Sequence, residues 1–73
     1  MTDRTESLRI EVNGEARTVP PASTVATLLA ELAIDVRQVA VERNREIVRK
    51  ADYATTKLAN GDELEIVTFV GGG

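Results

Sequence analysis

Three consecutive glycines, Gly71, Gly72 and Gly73, stand at the end of the sequence, directly after Thr68-Phe69-Val70. At an average glycine usage of about 7%, such a run at a chosen place arises by chance about 3 times in 10,000. A frayed end or the remnant of a linker also leaves glycines. A linker, however, carries polar spacer residues, and none separates this run from the apolar segment before it. The chemistry that asks for such a tail is that of the terminal carboxylate. With a pKa of about 3.3–3.7 an α-carboxyl is ionised at pH 7. Its oxygen can attack the α-phosphate of ATP to give an acyl-adenylate, a good acyl donor to sulfur, nitrogen or oxygen. Three extended residues reach about 10 Å beyond the last strand, and without Cβ atoms they thread a narrow channel. On this reading Gly73 is the modified residue, and Gly71 and Gly72 are the tail that enters a partner's active site.

The other chemistry-bearing groups are plainer. Asp62, Glu63 and Glu65 follow Gly61 closely. They have the composition of a metal site but read better as a solvated turn and strand face, and no metal is expected. Glu42 and Glu46 among Arg43, Arg45, Arg49 and Lys50 read as a mixed charged edge that discourages strand pairing. Tyr53 reads as a core or rim anchor. The 73 residues contain no cysteine and no histidine. Serine–histidine and cysteine–histidine catalysis and cysteine/histidine zinc sites are therefore excluded within the chain. Nine Lys/Arg against twelve Asp/Glu leave a net charge of −3, the wrong sign for a general nucleic-acid binder. No apolar run approaches the roughly 20 residues of a membrane span, and the polar N-terminus lacks a signal-peptide core. The chain reads as a cytoplasmic protein, monomeric when free, that works on or through a partner and is not itself an enzyme.

The elements that must carry the tail follow from periodicity. Residues 1–7 form a flexible lead-in, residues 8–70 the folded domain and residues 71–73 a flexible glycine tail. Leu8, Ile10 and Val12 alternate with Arg9 and Glu11, a half-buried strand. Asn13-Gly14 then signals a tight hairpin. The return strand, about Glu15 to Val19, leaves its inward face open between Ala16/Thr18 and Arg17/Val19. Ser23 or Thr24 caps a helix of about ten residues whose apolar stripe is Val25, Leu28, Leu29 and Leu32. It fades near Ala33–Asp35 without a glycine stop. Val39 and Val41 mark a third strand, Ile47-Val48 a short fourth, and Ala51–Lys57 a helical turn. After the Asn60-Gly61-Asp62 turn, Leu64, Ile66, Thr68 and Val70 alternate with Glu65, Val67 and Phe69 in a long last strand. One helix is enough to cover one face of such a sheet. The fold class is therefore α+β, a ubiquitin-like β-grasp with a mixed four- to five-stranded sheet, its first and last strands parallel. Val67 and Phe69 then point away from the helix and form a partner-docking patch, with Glu42, Glu63 and Glu65 steering a basic partner.

Taken in order, Thr24-Val25 with Leu28-Leu29, Val39-Ala-Val-Glu-Arg-Asn44, Glu46-Ile-Val-Arg49, Leu58-Ala-Asn-Gly-Asp-Glu-Leu-Glu-Ile-Val67 and Val70-Gly-Gly-Gly73 resemble the ThiS family of thiamine-pathway sulfur carriers. The resemblance runs from about Leu8 to Gly73. It implies that an adenylating, E1-like activating enzyme uses ATP on Gly73 and that a sulfur donor converts it to a thiocarboxylate. It further implies delivery of the sulfur to thiazole synthase, with no cofactor bound to the carrier. The chain departs from the family in three places. Asn44-Arg45 stands where Asn-Gly is usual, so another turn is expected there. Val48 rather than proline precedes Arg49, and residues 1–7 are extra. The small subunit of molybdopterin synthase also ends in diglycine, but it usually carries prolines before its tail, and Thr68-Phe69-Val70 has none. A ubiquitin-like modifier joined to lysines, and a plain binding module with an idle tail, are the rivals from other classes.

Overall fold

The structure is a computed structural model that describes residues 7–69. The lead-in up to residue 6, Val70 and the tail residues Gly71, Gly72 and Gly73 lie outside the described residues. Five strands and one helix follow in the order β1 (Leu8–Val12), β2 (Glu15–Val19), α1 (Val25–Glu31), β3 (Val39–Arg43), β4 (Glu46–Val48) and β5 (Glu63–Thr68). Single 3₁₀ turns at Val36–Gln38 and Lys50–Asp52 precede β3 and follow β4. The sheet order is β2-β1-β5-β3-β4. β1 and β5 are parallel and the other neighbours antiparallel, as the β-grasp reading requires.

Alternation does the sorting. Ile10, Val39, Val41, Leu64 and Ile66 point to one face of the sheet and meet Val25, Leu28 and Leu29 of α1, with Val19, Tyr53 and Leu58 closing the core. The open question on β2 is resolved by Val19, 2% exposed, while the rest of that edge strand is solvent-facing. Tyr53 is a core anchor. Its main-chain oxygen accepts from Ala26 N at 2.9 Å, and burial pushes its phenol above the usual tyrosine range.

Thr24 is the helix cap. Its hydroxyl accepts from Thr27 N at 3.2 Å, and Thr27 Oγ1 accepts from Thr24 N at 2.8 Å, a reciprocal capping box. The helix is seven residues long, shorter than the stripe predicts, because the chain does contain a stop. Ala33 sits at φ 58°. Its N–H donates to Ala30 O at 3.0 Å and Ile34 N–H donates to Leu29 O at 2.9 Å, the paired bonds of a Schellman ending. Alanine occupies the place glycine normally takes.

The β3–β4 connection departs from expectation in the same sense. Asn44 at φ 53° and Arg45 at φ 74° both take the left-handed conformation, so the two-residue turn expected of Asn-Gly is kept and no other turn replaces it. Arg45 bears a strain that glycine would avoid. Asn44 holds the turn in place. Its N–H donates to Glu63 O at 2.8 Å and its Oδ1 accepts from Glu63 N at 2.9 Å.

Candidate functional site

The site is built on β5, the central strand that leads to the tail. Bonding to β3 uses alternate residues of β5. Phe69 N donates to Gln38 O at 2.8 Å, and Val39 lies opposite Thr68, Ala40 opposite Val67 and Glu42 opposite Glu65. On the other side β1 ends at Val12, and Asn13 continues the pairing. Asn13 N donates to Leu64 O at 2.9 Å, its Oδ1 accepts from Ile66 N at 2.8 Å and its Nδ2 donates to Ile66 O at 3.2 Å. An asparagine read from the sequence only as a turn former is thus also a side-chain extension of β1. Strand β5 is gripped from both sides up to Ile66 and from the β3 side alone as far as Phe69.

Val67 is 56% exposed and Phe69 52% exposed, and alternation places both on the face away from α1. Phe69 is held by more than its backbone. Lys50 Nζ donates to Val39 O at 3.0 Å and lies 5.8 Å from the centre of the Phe69 ring, close enough for a cation–π attraction. Lys50 therefore belongs to the end of the β3–β5 pairing, beside Phe69, and not only to a charged edge.

Asp62 also departs from its expected role. It is 6% exposed, not part of a solvated turn. Its Oδ2 accepts from Ala59 N at 2.8 Å and from Arg43 Nη1 at 3.2 Å, and its Oδ1 accepts from Asn44 Nδ2 at 3.0 Å. Arg43 Nη1 also donates to Lys57 O at 3.1 Å. A carboxylate with three donors locks the loop before β5 onto the β3–β4 turn. Glu63 and Glu65 are exposed. Among the described residues no group of three or more His, Cys, Asp or Glu is placed to hold a metal ion, and no helix is long and apolar enough to cross a membrane.

Fold and site together define a ubiquitin-like β-grasp domain with an exposed apolar pair just ahead of a glycine tail. The ThiS family model matches residues 10–73, and the chain belongs to the ThiS family. It is 38% identical over 65 residues to the Bacillus subtilis sulfur carrier protein ThiS, covering 88% of this chain and 98% of that one. The crystal structure of the thiamine biosynthesis protein ThiS from Geobacter metallireducens superposes with a TM-score of 0.78 at 32% identity, covering 90% of this chain and all of that one. A thiazole synthase of Paramagnetospirillum magneticum is 52% identical over 66 residues, which are 90% of this chain. The chain spans only 20% of the length of that synthase and 20% of the synthase from Magnetococcus marinus.

Proposed function

We propose that the chain is a sulfur carrier of thiamine biosynthesis, acting as a co-substrate rather than an enzyme. The carboxylate of Gly73 attacks the α-phosphorus of ATP on an adenylating partner. An acyl–phosphate bond forms and pyrophosphate leaves. A sulfur nucleophile supplied by a donor then attacks the acyl carbon and AMP departs, leaving a thiocarboxylate. The sulfur goes to thiazole synthase. Gly71 and Gly72 thread the partner's channel while Val67 and Phe69 seat the domain outside it. The carrier binds no cofactor and works in the cytoplasm as a monomer when free.

The observation that carries this reading is the family match, which runs through Gly73, the residue that this reading makes reactive. The placement of Val67 and Phe69 on one exposed face, within a few residues of that end, supports it. The test is the intact mass of the protein after incubation with ATP, a sulfur donor and the adenylating enzyme of the same organism. Replacement of one oxygen by sulfur at Gly73 is the expected result. Conjugates to lysines of other proteins, or an unchanged mass, would refute it.

A further inference from the structure

Strand β3 is bonded to β5 on one side and to β4 on the other. The β4 pairing ends with Val48 opposite Val41. Continued in the same register, it would set Lys50 opposite Val39. The chain turns away instead, into the 3₁₀ turn Lys50–Asp52. Gln38 O faces β5, where it accepts from Phe69 N at 2.8 Å, so by alternation Val39 O faces the side that β4 has left. A strand carbonyl in that place calls for a donor. Lys50 supplies one from its side chain, with Nζ donating to Val39 O at 3.0 Å. The residue that the register would set opposite Val39 thus completes the ladder with its ammonium.

What this bond braces is the end of β5. Asn13 grips β5 from the β1 side only as far as Ile66. Beyond it, the main chain of Thr68 and Phe69 is paired with Val39 and Gln38 at the start of β3. The same ammonium that holds Val39 O lies 5.8 Å from the centre of the Phe69 ring, within reach of a cation–π attraction. One charge therefore ties the main chain of β3 to the side chain of the last described residue. Among the described residues the ion pairs are Arg37 with Asp35 and Arg43 with Asp62, so no carboxylate draws Lys50 to this place. An exposed lysine otherwise keeps its rotamer freedom in water.

We infer that Lys50 is a positioning residue for the chemistry at Gly73: its ammonium fixes the last β3–β5 pair and the Phe69 ring, the frame from which the chain reaches a partner's active site. This rests on the carrier reading. Gly73 stands four residues beyond Phe69. Four residues drawn out in a channel span about 14 Å, so a swing of about 20° at Phe69 would carry the carboxylate about 5 Å. An attacking oxygen tolerates far less than that, since a misplacement of about 1 Å can cost a hundredfold in rate. Glycines cannot supply the missing stiffness, which leaves it to the residues that hold Phe69.

The test compares the full chain with Lys50→Met, which keeps the long stem and loses the charge, and Lys50→Arg, which keeps both contacts. Two quantities are read: hydrogen exchange of the Phe69 amide in the free chain, and ATP–pyrophosphate exchange by the adenylating enzyme of the same organism. Lys50→Met is expected to speed Phe69 amide exchange about fivefold or more and to lower kcat of pyrophosphate exchange by a similar factor, with KM for the carrier within about twofold. Lys50→Arg is expected to restore both. A normal kcat in Lys50→Met overturns the proposal, whether or not the Phe69 amide responds. A raised KM that added salt abolishes, with kcat unchanged, overturns it as well, because it marks a charge that meets the partner directly. Absence of pyrophosphate exchange from the unsubstituted chain, with the Phe69 amide still responding to Lys50→Met, refutes the carrier reading and not the clamp on Phe69.

Discussion

Replacing Asp62 with alanine removes a carboxylate whose side chain is 8% exposed and which accepts from Ala59 N, Asn44 Nδ2 and Arg43 Nη1. A hydrogen bond to a charged group contributes about 1.5–3 kcal/mol, and a buried donor left without a partner loses a comparable amount. The Arg43 contribution is discounted, because that side chain is 34% exposed and keeps its bond to Lys57 O. The other two bonds, taken at the low end, give about 3 kcal/mol. A chain of this size has roughly 4–11 kcal/mol in all, so a large share of its stability rests on one turn. For a small domain the loss corresponds to a fall in Tm of about 12–24 °C. Asp62→Asn, which keeps an acceptor for Ala59 N and loses the charge, is expected to fall between. Thermal and urea unfolding followed by circular dichroism measure both variants. A loss under about 1 kcal/mol for the alanine variant would refute the argument that this buried carboxylate organises the entry into β5.

Three further outcomes follow from the same structure. Ala33→Gly relieves an alanine held at φ 58°; against the added entropy of the unfolded chain it is expected to gain about 0.5–1 kcal/mol in urea unfolding, and Arg45→Gly, at φ 74°, should change stability in the same direction. Tyr53 titrates in the folded chain above its ordinary value of 10.0 because burial disfavours the phenolate; above pH 10 the unfolded chain releases that proton first, so stability present below pH 10 is lost as pH rises, and Tyr53→Phe should flatten this part of the unfolding curve while keeping the ring in the core. Removing Gly73, or adding a residue after it, is expected to leave Tm unchanged and to abolish ATP–pyrophosphate exchange by the adenylating enzyme; normal exchange by the extended chain would sink the carboxylate chemistry.

What was legible in the sequence is what depends on near neighbours. The alternation of Leu8, Ile10 and Val12, the Asn13-Gly14 turn, the stripe on α1 and the two faces of β5 are all periodic or adjacent signals, and each is found where periodicity places it. Arg45 and Ala33 were not legible, because their local preference runs against the conformation they hold. Hydrogen bonds override it: the tertiary pair Asn44 with Glu63 for the first, and the helix's own last carbonyls for the second. The burial of Asp62 was missed for a related reason. Its partners Arg43 and Asn44 are 19 and 18 residues away in sequence, and nothing local separates a solvated aspartate from one that three donors hold.

The face of the sheet turned away from α1 divides along the same line. The sequence alone places Val67 and Phe69 on it, since one strand's alternation suffices. Ile47 joins that face only because β4 pairs with β3 in the register that sets it opposite Glu42, and the acidic residues meet only when Glu42 stands opposite Glu65 and Glu11 beside Glu63. Arg45 comes among them because the left-handed β3–β4 turn carries it to the cleft that Glu11, Glu42, Glu63 and Glu65 line. Pairings between distant segments are thus what convert charges scattered along the sequence into one mixed cluster, and the residue that tempers the like-charge pairs is the one whose own backbone conformation is the least favoured in that turn.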